Sequence, residues 1–163
     1  MNNNKGVNLI ALIVIIIIMI ILAAIAMRNS IDAHNNALEA RALEENRHVV
    51  DAVQNRYGSY MTNPTVSPLV GVKAPDSCKT IDEIYDFIID YLHSKGKLSA
   101  LDKESIEKDE AAIKKLLDDN KGYLEYTRIL EHSNLSEIGL ESMPINATYV
   151  VNYFGTNVVG PIY

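Results

Sequence analysis

The sequence predicts an α+β protein: a long N-terminal helical spine, half transmembrane and half amphipathic, packed against a small head with extra helices and a C-terminal antiparallel sheet. Three observations predict it. Residues 7–27 are almost wholly apolar, with Asn8 the single polar member. From Arg28 to about Tyr60 apolar residues recur at helical spacing without a proline. The segments "ATYVVNYF" and "TNVVGPIY", separated at Gly155-Thr156, are rich in β-branched and aromatic residues, a hairpin pattern.

The apolar run comes first. A helix that crosses a bilayer needs about 20 apolar residues, and residues 7–27 supply that length. Ile, Leu and Val each favour insertion by roughly 0.3–0.6 kcal/mol, so residues 7–27 are expected to span a membrane. Ala24-Ile25-Ala26 and Lys5 could also mark a cleavable secretory signal. The run exceeds the usual h-region of about 7–15 residues, which weighs against cleavage behind it.

Residues 28–60 form the expected amphipathic half. Ile31, Leu38, Ala42, Val49, Val53 and Tyr57 recur at steps that keep them on one stripe, with Asn29, Asn36, Glu44, Arg47, Asp51 and Asn55 opposite. A parallel coiled coil is the competing use of such a stripe, but the stripe is short and carries small residues. The head, residues 61–163, has the size of one domain. Ahead of its first helix, residues 58–79 hold Gly58, Pro64, Pro68, Gly71 and Pro75 and read as a loop. Thr80-Ile81-Asp82-Glu83 is a capping box, and Ile81, Ile84, Ile88 and Leu92 then mark one face of a helix ending before Gly96. A second helix is expected near 102–119, with Ile106, Ile113 and Leu117 inward and Asn120-Lys121-Gly122 as its exit. "YTRIL", residues 126–130, supplies a third strand beside the hairpin.

Composition excludes some functions. The net charge of −6, without clustered Lys or Arg, argues against nucleic acid, whose affinity rests on neutralised phosphates. Cys78 is the only cysteine, so it is a free thiol, a link between chains, or a small buried hydrophobe. Asp118-Asp119-Asn120-Lys121-Gly122 has the wrong spacing for a calcium loop, and His34, His48, His93 and His132 lack ligand-spaced partners. No phosphate-binding or nucleophile motif appears. Neither an enzyme, a cofactor nor a bound metal is expected.

Lys5-Gly6, followed at once by Val7-Asn8-Leu9-Ile10 and a long aliphatic run, resembles the start of type IV pilins and the pseudopilins of type II secretion. The resemblance implies a leader, residues 1–6, cut between Gly6 and Val7 by a prepilin peptidase, with methylation of Val7. It implies assembly through Leu9, Ile10 and Ala11, with other pilin subunits, into a surface filament (pilus or fimbrium), served by an assembly platform and a motor ATPase. Before assembly the chain would sit in the cell membrane with its amino terminus cytoplasmic and its head extracellular. The family's fifth mature residue is usually glutamate; here it is Ala11, which favours a minor subunit over a bulk one. The rival is a single-pass membrane-anchored extracellular binding module that does not polymerise.

Overall fold

The computed structural model describes residues 4–98 and 103–163; within the first helix the side chains of residues 4–12, 24–26, 28–32, 35, 38 and 39 are not described. The architecture is α+β, with five helices, one of them a short 3-10 turn, and a three-stranded antiparallel sheet among the described residues. Helix α1 runs Asn4–Thr62, α2 Ile81–Ser94 and α3 Lys103–Asp119; the 3-10 turn Leu124–Tyr126 leads into β1, Thr127–Leu130. A one-turn-and-a-half helix, α4 (His132–Glu137), separates β1 from β2 (Thr148–Asn152) and β3 (Asn157–Ile162). The chain divides into two compact units, Met1–Arg41 and Ala42–Tyr163.

The expected transmembrane half of the spine is corrected here. Among the described residues no helix is long and apolar enough to cross a membrane. Helix α1 is long, but length alone does not meet the requirement. The polar positions Asn36, Glu44, Arg47 and Asp51 are exposed farther along it.

In the second unit, α1 joins the core through the predicted stripe. Val49 and Val53 are fully buried and Ala42 and Tyr57 are half-buried, while Asn36, Glu44, Arg47, Asp51 and Asn55 face solvent. Ile31, Leu38 and Asn29 lie outside the described side chains. The helix continues past Gly58 to Thr62 instead of yielding to a loop there. A single glycine costs a helix only about 1 kcal/mol, and the hydroxyls of Ser59 and Thr62 donate to the carbonyls of Asn55 and Gly58 at 3.0 Å. Pro64 supplies the stop, because the residue before a proline is pushed out of the α region.

The sheet order is β1-β2-β3, with Ile129 opposite Val150 and Val150 opposite Val159. Both faces of the sheet are covered. On one face Ile129, Val150 and Ile162 pack against Ile84, Ile88 and Leu92 of α2 and Ile113 and Leu117 of α3. On the other, Leu130, Tyr149, Val151 and Tyr153 meet Val49 and Val53 of α1 and Leu135 of α4. Every residue of β2 is therefore buried, the polar Thr148 and Asn152 at its ends included. The capping box at α2 forms as expected: the Thr80 hydroxyl accepts from the Glu83 amide at 3.2 Å, and the Glu83 carboxylate accepts from the Thr80 amide at 3.0 Å.

Part of the stretch read as loop does structural work. Val72 and Ile129 exchange two backbone hydrogen bonds, 2.8 and 2.9 Å long, which adds a bridge to the free edge of β1. Gly71 precedes it at φ +109°, where a side chain would meet the Ile129 carbonyl oxygen at 2.8 Å. Only glycine suits both the backbone conformation and the close approach.

Candidate functional site

Two surfaces in the described part of the chain stand out, one aliphatic and one aromatic. The aliphatic surface lies on α1. Ile13 through Leu22 are all exposed, by 47% to 67%. Successive helical residues point about 100° apart, so this exposure extends around the whole circumference of the helix. A helix that is apolar on all sides is stable in an apolar environment, not in water. Shielding each half-exposed aliphatic side chain is worth on the order of 1 kcal/mol. Ten such positions in sequence form a surface built to be covered.

The residues that the sequence singles out for processing and assembly adjoin this run. Lys5, Gly6, Val7, Leu9, Ile10 and Ala11 belong to the backbone of α1, but their side chains lie outside the described residues, as do residues 1–3 entirely. The structure thus gives the helical backbone of this segment and no side-chain geometry for it.

The aromatic surface comes from three separate stretches of the second unit. Tyr57 and Tyr60 project from the last turns of α1, Tyr123 and Tyr126 from the connection between α3 and β1, and Phe154 from the β2–β3 turn. Tyr123 and Phe154 lie face to face, with centroids 3.4 Å apart and planes inclined by 13°. Tyr57 meets Tyr126 edge-on at 5.8 Å and Phe154 at 6.2 Å, and Tyr60 stacks on Tyr57 at 6.3 Å. Burial, reinforced by the neighbouring phenols of Tyr126, Tyr60 and Tyr123 and the charge of Glu125, raises the pKa of Tyr57 above the ordinary phenol value. Tyr57 therefore stays protonated at neutral pH and keeps its donor. In the sequence Tyr57 belonged to the helical stripe, Tyr126 to the strand "YTRIL" and Phe154 to the hairpin segment, each recognised separately. The five rings are scattered over nearly a hundred positions, and no local spacing announces their meeting.

A buried amide network supports the turn beneath these rings. Asn152 donates to the Tyr123 carbonyl at 2.9 Å and to the Thr127 hydroxyl at 3.0 Å, and accepts from the Gly155 amide at 3.1 Å. Asn120, buried just beyond α3, donates to the Leu116 carbonyl at 2.7 Å and to the Asn157 side chain at 3.0 Å. Asn120 thus closes the helix exit, and Asp118 and Asp119 face solvent instead of converging on an ion. A side chain at Gly155 would collide with the amide oxygens of both Asn120 and Asn157.

The remaining polar groups do not converge. Among the described residues no group of three His, Cys, Asp or Glu side chains is placed to hold a metal. Cys78 is half-buried against the core beside α2, and it lines a cavity of about 280 Å³ with Lys73, Asp76, Lys79 and Glu125. Lys73 is paired with Asp76 there. No protein-family model matches the chain, and neither a curated protein nor a solved structure does.

Proposed function

We propose that the chain is a pilin-like structural subunit, cut between Gly6 and Val7 by a prepilin peptidase and methylated at Val7. The processed subunit assembles into a type IV pilus or a type II secretion-like filament at the cell surface, and Ala11 at the fifth mature position makes it a minor subunit. What carries this proposal is the aliphatic surface from Ile13 to Leu22, exposed on every side of α1. Lateral packing against the same helix of neighbouring subunits covers such a surface through many small dispersion contacts that are large in sum. It does so without a membrane-crossing helix. The placement of Lys5-Gly6 immediately before Val7 and the aliphatic run supports the cut. Burial of Val49 and Val53 in the core of the second unit gives α1 a second role, as part of the head. An assembly platform and a motor ATPase are the partners such a filament requires.

Mass spectrometry of the protein from its native cells tests the proposal. The expected product starts at a methylated Val7, and Gly6→Ala blocks its formation. Retention of Met1, or removal of the whole apolar run, overturns the proposal.

A further inference from the structure

The aromatic surface has no part in the filament proposal and stands independently of it. Nothing in the turn requires Phe154. Turn positions favour Gly, Asn, Asp and Ser, and Phe154 is followed by a glycine that already meets the tight geometry. Yet Phe154 is 41% exposed and stacked on Tyr123, itself 43% exposed. A stacked aromatic pair held in water leaves apolar faces available for a ligand.

The geometry restricts what can occupy it. A methylammonium group needs a gap between ring walls, and cation–π attraction works from over a ring face; here Tyr57, Tyr126 and Phe154 fill their own interior, with centroids 5.8 to 6.2 Å apart. At roughly 200 Å² per aromatic side chain, the partial exposure of the five rings amounts to on the order of 300 Å². A stable protein interface takes about 800 Å² from each partner, so these five rings do not by themselves make one. Bases also stack on aromatic rings, but their phosphates need free cations. The surface is bordered by Glu125, and the neighbouring Arg128 guanidinium donates to the carbonyls of Glu125 and Thr127 at 2.6 and 2.7 Å. What remains is a small, neutral, flat molecule with one apolar face and a hydroxyl-bearing rim.

We propose that this surface binds neutral pyranose sugars, one ring resting its C–H face on the Tyr123–Phe154 stack while the tyrosine hydroxyls and the Glu125 carboxylate meet the sugar hydroxyls. The experiment uses the full chain in polyoxyethylene micelles, which shield the aliphatic run and carry no sugar headgroup. Cellobiose, maltose, lactose and N,N′-diacetylchitobiose are titrated into it, with sorbitol as the acyclic comparison, and aromatic proton resonances are followed by NMR. At least one disaccharide is expected to shift the Tyr123 and Phe154 ring signals saturably, with a millimolar Kd, while sorbitol does not. Phe154→Ala and Tyr123→Leu weaken binding by on the order of tenfold or more, and Phe154→Tyr retains it. Thermal melting of each variant verifies folding; the leucine variant keeps apolar bulk where the alanine variant fails to fold. No saturable shift with any of the four sugars overturns the proposal. Undiminished binding by folded Tyr123→Leu also overturns it, as does a dimer of the full chain that this substitution dissolves.

Discussion

Tyr149 and Tyr153 stand four residues apart around β2, both fully buried, and differ at a single atom's surroundings. The Tyr153 hydroxyl donates to the Val70 carbonyl at 3.1 Å, fastening the loop before Gly71 to the sheet. The Tyr149 hydroxyl is buried without a hydrogen-bond partner among the described residues. Burial pushes the pKa of Tyr153 up to about 12, and burial with the charge of Glu45 raises that of Tyr149 as well. Both phenols stay neutral at ordinary pH. A net hydrogen bond contributes about 0.5–1.5 kcal/mol, and a buried acceptor left unpaired costs about 1–3 kcal/mol. Tyr153→Phe is therefore expected to lower stability by about 1–3 kcal/mol. Tyr149→Phe, which removes only an unsatisfied group, is expected to be neutral or mildly stabilising. Denaturant midpoints of the two variants check this contrast, and equal losses in both would refute it.

At the scale of elements, Glu131 joins the end of α2 to the start of α4. Its carboxylate accepts from the Tyr91 hydroxyl at 2.9 Å and lies 3.1 Å from the Lys95 ammonium. Burial opposes its charge, but the hydrogen bonds from Tyr91 and Lys95 outweigh that and hold it below the ordinary glutamate value of 4.5. A depressed folded pKa means that folding favours the charged carboxylate. This stabilisation is fully present above the unfolded pKa and is lost as pH falls through the folded one. The denaturation midpoint is expected to drop as pH is lowered from neutral to below about 4, more steeply for the parent than for Glu131→Gln. A pH profile of that variant identical to the parent's would remove Glu131 from this role. Glu83 adds to the acid sensitivity in the same direction, since amide donors from Lys79 and Thr80 depress its pKa too.

For the molecule as a whole, the two units answer to different forces. The unit Ala42–Tyr163 contains both core clusters. The aliphatic surface belongs to Met1–Arg41, so changes within it are expected to alter association and not folding of the head. The double substitution Ile17→Asp with Ile21→Asp sets charges among side chains that must desolvate on assembly. Such chains are expected to lose large assemblies in sedimentation while the melting transition of the head stays within a few degrees of the parent's, as surface substitutions within about 0.5 kcal/mol imply. Assemblies that persist unchanged would exclude this surface as the contact.

Much of the local structure was legible in the sequence because it depends on near neighbours. Thr80 and Glu83 can cap a helix whatever lies beyond it, and the stripe through Val49 and Val53 announces a buried face by spacing alone. The C-terminal hairpin and the strand near "YTRIL" follow from residue type and a glycine between them. Short α4 carried too few residues for a period, and the Val72–Ile129 bridge pairs segments far apart in the chain. The transmembrane expectation at residues 7–27 weighed apolar length in the sequence, whereas among the described residues no helix is long and apolar enough to cross a membrane. Only tertiary packing buried β2 on both faces and gathered Tyr57, Tyr60, Tyr123, Tyr126 and Phe154 into one surface. Periodicity shows which side of an element avoids water; it does not show which distant side chains will meet there.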